Sequence, residues 1–300
     1  MTIHRRIPFL FLLLLLLSFA SPLTAQADIT FQAPSSVSWG EAFVVRVRSD
    51  LSLANAKLVW LNKTIPLQVD KTKQGYTASA ILGTDVKYSK PGPQSLGFSA
   101  TVGKVQSSLK RTIQVEPKKY KEQHLAVAKK MVNPSKKSLG KIQKESRLMG
   151  KALATLTPER YWSLPFTRPV KGGISSEYGL RRFYNEQPRS PHRGVDLRGA
   201  KGTPIKAVNA GRVVLKGKFY FGGNTVFIDH GQGLISMYCH MSKIKVKQGA
   251  MVSKGEVIGL VGSTGRVTGP HLHLSIFSAG QSSNPLPLFT PEFGKEKTAS

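Results

Sequence analysis

Cysteine is almost absent from this chain of 300 residues. The single thiol, Cys239, excludes an intrachain disulfide framework and a Cys-rich zinc finger. Acidic residues are scarce as well: 16 Asp+Glu stand against 44 Lys+Arg, a formal net charge of +28. Such a surface favours anionic partners, whether nucleic acid, anionic membrane or acidic wall polymer. No apolar run reaches the roughly 20 residues that a spanning helix needs. There is also no His-Glu-x-x-His, so no helix supplies two imidazoles with a glutamate base between them. What is present allows a packed core: hydrophobic residues make up 40% and charged residues 20%, which excludes wholesale disorder. The length suits about two domains.

The N-terminal segment Met1 to Ala27 reads as an export signal. His4, Arg5 and Arg6 precede a mainly apolar stretch from Ile7 to Ala20, and Ala25-Gln26-Ala27 offers a small-residue cleavage site before Asp28. No cysteine follows closely, so lipid attachment is not expected, and cleavage would leave no stable membrane anchor. An exported, basic, disulfide-free protein fits a bacterial envelope. Export also makes nucleic acid an unsuitable partner despite the charge.

Residues 28–117 are expected to be all-β. Phe43 to Arg48 ends in apolar/basic alternation, and Lys57 to Trp60, Thr64 to Val69, Gly75 to Leu82, Gln94 to Val102 and Lys104 to Val115 read as further strands between Gly, Pro, Asn and Asp clusters. The spacing suggests a small immunoglobulin-like sandwich without a catalytic cluster. Residues 118–160 carry twelve Lys or Arg and three Glu. Asn133 as N-cap with Pro134 at the first helical position, followed by Leu139, Ile142, Met149 and Leu153, predicts a basic amphipathic helix packed between two domains. Residues 161–300 are Gly-rich and strand-rich again, which predicts a third, antiparallel β segment. The whole is mainly β.

Five of the seven histidines fall between positions 192 and 273. His271 and His273 are separated by Leu272. On a strand the two imidazoles face one way and Leu272 the other. His192 and Asp196 would share a face on a helix, but Gly194 and Gly199 argue against one. Each pair alone is weak evidence. Together, two imidazoles and a carboxylate make a three-ligand site with one open position, suited to catalytic rather than structural zinc. Tyr238-Cys239-His240 adds a further imidazole. Strand alternation predicts that Cys239 points away from the groove that His240 faces.

From about Gly173 to Leu288 the sequence resembles the zinc metallopeptidases of the lysostaphin and LytM type, the M23 family of peptidoglycan hydrolases. The residues that carry the resemblance are His192-x-x-x-Asp196, Tyr238-x-His240 and His271-Leu272-His273. Around them stand Ser176-Glu177-Tyr178-Gly179, Gly202-Thr203-Pro204-Ile205, Asp229-His230-Gly231 and Gly262-Ser263-Thr264-Gly265-Arg266, leading into Thr268-Gly269-Pro270. The resemblance implies one zinc per chain, held by His192, Asp196 and His273, with His240 and His271 as the catalytic pair. It implies an exported endopeptidase that cuts peptide cross-links of peptidoglycan. By analogy the bond is D-Ala to meso-diaminopimelate in a Gram-negative periplasm. The basic surface suits wall carboxylates and other anionic envelope polymers. A LytM-type domain that has lost its ligands can instead act as a non-catalytic activator of other hydrolases, and the complete ligand set here favours the enzyme. Where the family often has an acid two positions after His-Leu-His, this chain has Ser275. His230 and Asn224 read as structural turn residues, and Tyr184 and Arg181 as candidates for the cleft wall.

Overall fold

The computed structural model describes residues 28–295; the export segment expected at 1–27 lies outside them. The first nine strands are β1 (Ile29–Gln32), β2 (Ser36–Ser38), β3 (Ala42–Ser49), β4 (Leu53–Trp60), β5 (Lys63–Pro66), β6 (Val69–Thr72), β7 (Gly75–Gly83), β8 (Gly92–Val102) and β9 (Val105–Glu116). They form two sheets, ordered β1-β3-β7-β6 and β2-β9-β8-β4-β5. The strand orders are compatible with an immunoglobulin-like sandwich. Alternation fills its interior: Val45 and Val47 from β3, Leu58 and Trp60 from β4, and Leu96 and Phe98 from β8 are buried in one cluster. The single strand expected over Thr64 to Val69 is in fact two. Pro66 removes a ladder donor, and the chain crosses from the β4 edge to the β7 edge before Val69 resumes pairing.

The basic segment is not wholly helical. It opens with β10 (Glu122–Leu125), passes through the single turn α1 (Lys129–Val132), and then forms α2 (Lys136–Leu153). Helix α2 starts later than the Asn-Pro pair predicts. Asn133 ends α1, and the Ser135 side chain caps α2 by accepting from the Ser138 N–H. A hydroxyl at N-cap serves that role as well as an amide does. Nor does α2 pack between two domains. Ala152, Met149 and Leu153 lie on Phe219, Phe227, Ile235 and Phe277, all from one face of the next sheet.

The remaining strands are β11 (Ile174–Ser176), β12 (Arg181–Tyr184), β13 (Gln187–Pro188), β14 (Val195–Arg198), β15 (Pro204–Lys206), β16 (Gly211–Phe219), β17 (Gly223–Asp229), β18 (Leu234–Met241), β19 (Lys243–Ile244), β20 (Met251–Val252), β21 (Val257–Leu260), β22 (His271–Ser278) and β23 (Gln281–Ser283). The main sheet runs β11-β14-β22-β18-β17-β16-β20, with β23 beside β22; β15-β21-β19 form a second sheet. One face of the main sheet buries Val195, Leu197, Tyr238, Leu272 and Leu274 in a core that also takes in Val44, Ile81 and Val86 of the sandwich. The opposite face carries Ile235, Met237, Phe277 and α2 at one end and the histidines at the other.

Candidate active site

Three neighbouring strands of the main sheet set the site. Asp196 of β14 lies directly opposite His273 of β22, and His273 lies opposite Cys239 of β18. Residues paired across antiparallel strands share a face, so these side chains form a row. His271 stands two residues along β22, opposite Arg198, on that same face. His192 comes from the loop ahead of β14, held by its own N–H to the Leu180 carbonyl (2.9 Å) and by its carbonyl to the Gly179 N–H (2.7 Å). Gly194 lets this loop press against β22: a Cβ there would run into the Leu274 carbonyl, Ser275 Oγ and the His273 ring.

The structure therefore brings His192, Asp196 and His273 together. His192 Nε2 lies 3.1 Å from Asp196 Oδ1 and 3.0 Å from His273 Nδ1, and His273 Nδ1 lies 2.8 Å from Asp196 Oδ1. The far side of each group is anchored. His192 donates from Nδ1 to the Glu177 carbonyl (2.6 Å), His273 Nε2 meets Ser275 Oγ (2.9 Å), and Asp196 Oδ2 accepts from Arg182 Nη2 (2.6 Å). Donation by the two imidazoles at those outer atoms leaves two bare ring nitrogens and a carboxylate oxygen converging on one point. Burial lowers the His192 pKa to about 4, so its ring is neutral. Burial works against the Asp196 charge, yet His192 and His273 beside it hold its carboxyl well below the usual range. Three lone pairs at these separations fit a cation: tetrahedral ligands bound at 2.0–2.1 Å stand about 3.3 Å apart. The donor set is that of a metal site, and these three residues form a metal-sized group.

His240 and His271 adjoin the group, their ring centroids 4.9 Å apart. His240 donates from Nδ1 to the Thr264 carbonyl (2.8 Å) and His271 from Nδ1 to the Gly269 carbonyl (2.9 Å), which leaves each Nε2 bare. Burial, then the neighbouring His273 and His271 imidazoles, lowers the His240 pKa to about 3. His240 reaches the site by a break in strand geometry. Regular alternation would turn it to the core side with Tyr238, which is buried there and whose hydroxyl accepts from the Val208 N–H (2.8 Å) and from Ser236 Oγ (3.0 Å). Instead His240 adopts φ of 65°, in the left-handed region, and its N–H leaves the ladder for the Gly222 carbonyl (2.8 Å). The same break corrects the expectation for Cys239, which lines the cavity beside His240 and His273 rather than facing away from it. Burial pushes its thiol up to about 12, so it is not a nucleophile.

The other candidates sort by contact. Tyr184 and Arg181 both sit on β12; Tyr184 lines the cavity, whereas Arg181 is exposed and pairs with Glu122 (3.0 Å). His230 is wholly buried between the Ala210 carbonyl and Ser236 Oγ, and Asn224 Nδ2 donates to the Met241 carbonyl. Sequence reasoning missed the outer partners Glu177, Arg182, Thr264 and Gly269, and gave Ser275 no role. Three of the four act through backbone carbonyls, which no side-chain motif reports. Gln123 of the basic segment was missed too: its Oε1 accepts from Arg182 Nε (3.0 Å), behind Asp196.

Comparison with known proteins agrees with this geometry. The model of Peptidase family M23 matches residues 190–285. The peptidoglycan DD-endopeptidase ShyA of Vibrio cholerae is 44% identical over 115 residues, 38% of this chain and 27% of that protein. The DD-carboxypeptidase/endopeptidase Mpg of Neisseria meningitidis is 42% identical over 118 residues, 39% of this chain and 27% of that protein. The chain thus spans little more than a quarter of the length of these curated relatives. A solved structure described as a peptidase M23 from Pseudomonas aeruginosa extends the likeness to both halves. It superposes with a TM-score of 0.60 at 30% identity, over 80% of this chain and 93% of that one. With that coverage, and with the His-Asp-His group in place, the chain belongs to peptidase family M23.

Proposed function

We propose that the protein is an exported zinc endopeptidase that hydrolyses peptide cross-links of peptidoglycan, at the D-Ala–meso-diaminopimelate bond, in a Gram-negative periplasm. The observation that carries this reading is the convergence of His192 Nε2, Asp196 Oδ1 and His273 Nδ1 beside two further imidazoles with bare Nε2 atoms. ShyA and Mpg, named for DD-endopeptidase activity, supply the substrate class by similarity. The N-terminal sequence supports export, and the excess of Lys and Arg suits a wall polymer bearing carboxylates. We assign residues 28–117 to a front domain, 118–160 to a basic linker and 161–300 to the peptidase domain.

His192, Asp196 and His273 would hold one zinc. Zinc in such a site supplies Lewis acidity toward the scissile carbonyl and lowers the pKa of water in its open position. The protein's own groups do the rest. Arg182 holds Asp196 and Ser275 holds His273, the side chains that would face the metal. The His240 and His271 pair, with Nδ1 atoms tied to carbonyls, presents Nε2 to the cleft. There it takes a proton from attacking water, donates to the developing oxyanion, and returns a proton to the leaving nitrogen.

Metal content and turnover, measured on paired variants, test the assignment. His273→Ala removes one of three ligands, so zinc and activity should both be lost. His240→Ala leaves the ligands intact; zinc content and melting temperature should stay near wild type while kcat drops by about 10²- to 10⁴-fold. A folded, zinc-loaded His240→Ala protein with full activity removes His240 from the mechanism.

A further inference from the structure

The cavity beside the histidines, about 270 Å³ in volume, includes one cation that the chemistry above does not use. Arg266 lines it together with Tyr184, Phe221, His240 and His273. Its backbone N–H donates to the Phe221 carbonyl (2.9 Å), and the Thr264 carbonyl two residues earlier holds His240 Nδ1. The guanidinium is thus mounted on the same loop that orients a histidine of the site. The rings of Tyr184 and Phe221 lie against it, 4.2 and 4.3 Å from its central carbon to the ring centroids. Stacking of this kind holds the plane of the guanidinium while leaving its edge N–H groups available to a planar anion.

The neighbouring arginines are already committed. Arg182 donates to Asp196, Ser176 and Gln123. Arg189 donates to the Val132 carbonyl and Gln187. Glu145, the acid that shares the cavity, accepts from the Tyr220 N–H at Oε2, and its Oε1 is buried without a hydrogen-bond partner, 3.8 Å from Lys141 Nζ. Among the described residues, no carboxylate pairs with Arg266. Burial works against its charge, Tyr184 favours it, and Arg182 and Arg189 oppose it. A largely buried guanidinium without an acid, held by two aromatic rings at the edge of a reaction centre, is a half-built ion pair whose other half must come from outside the chain.

We propose that Arg266 binds a free carboxylate of the substrate, carried on the residue adjoining the scissile amide. For the cross-link assigned above, this is the carboxylate on the diaminopimelate carbon that bears the scissile nitrogen. The assignment rests on the peptidase reading of the same cleft and deepens it. Arg266 sets which cross-links are cut: those with that carboxylate free, in preference to those in which it is amidated. An amide in its place cannot form the charge-assisted, two-point contact and leaves the cation unpaired.

Two synthetic cross-linked peptides, identical except for carboxylate or carboxamide at that position, test the proposal with the zinc-loaded full chain. The wild type should cut the carboxylate peptide with a kcat/KM about 10- to 100-fold above the amide. R266Q should cut both at about the wild-type amide rate, with wild-type zinc content. If R266Q does not fold, R266K keeps the charge without the planar fork and should lose most of the preference. Equal cleavage of both peptides by the wild type, or a preference unchanged in the folded variant, overturns the proposal. If the wild type cuts neither peptide, the peptidase reading fails separately. Calorimetric binding of the same two peptides then decides the subsite: tighter binding of the carboxylate that R266Q abolishes sustains it, and equal binding refutes it.

Discussion

Arg193, the residue after His192, donates from Nη2 (2.5 Å) and Nε (3.0 Å) to Asp85 Oδ2, a fully buried carboxylate just after β7. The same oxygen accepts from Ser282 N and Ser282 Oγ, while Asp85 Oδ1 accepts from Lys87 N. One side chain therefore ties the sandwich both to the loop that carries His192 and to the β22–β23 hairpin.

The two ends of this link should differ in cost. Asp85→Ala strips the acceptor from five donor atoms and leaves buried N–H groups unpaired, for about 3–5 kcal/mol. Arg193→Ala leaves a carboxylate still bonded to three donors, for about 1–3 kcal/mol. Denaturant unfolding of both single variants and the double variant checks the order, and the double should cost less than the sum. Equal, additive losses would contradict the shared network.

Ser275, two residues after His273 on β22, contacts His273 Nε2 at 2.9 Å. Ser275→Ala frees that ring and should weaken zinc binding by about 10- to 100-fold, the usual effect of removing a ligand's outer partner. Competition with a calibrated chelator reads it directly. Unchanged affinity would mean that packing alone orients His273.

Acid sensitivity should report His230. Burial lowers its pKa to about 4, and its ring sits neutral between the Ala210 carbonyl and Ser236 Oγ. The unfolded chain takes up a proton near pH 6.5 and the folded chain does not until about pH 4. Stability from this group is therefore fully present above pH 6.5 and falls as pH drops toward 4, by about 3 kcal/mol in all. His230→Gln should flatten the slope of stability against pH by that amount over this window, as measured by urea unfolding at fixed pH values. A slope the same as wild type would place the titration elsewhere.

Much of the site was legible where backbone period alone decides position. His271 and His273 share a face because a strand alternates, and Leu272 accordingly enters the core. The meeting of Asp196 with His273 was accessible only through resemblance, because strand register between β14 and β22 leaves no mark in residue spacing. Cys239 and His240 defeated the periodic reading because one left-handed residue resets the alternation. The partner of α2 was illegible for a different reason: an amphipathic stripe announces that it will be covered but not by which surface. The start of α2 turned on a choice between two capable caps, Asn133 and Ser135, that local propensity ranks almost equally.

Incubating the zinc-loaded protein with purified cross-linked wall peptides, with and without a chelator, and weighing the products by mass spectrometry tests the central claim most directly. The account predicts that each dimer is split by addition of one water at the D-Ala–diaminopimelate bond, that chelation stops the reaction, and that added zinc restores it. Cleavage that persists undiminished after the metal is stripped, or dimers left whole by the zinc-loaded protein, would contradict it.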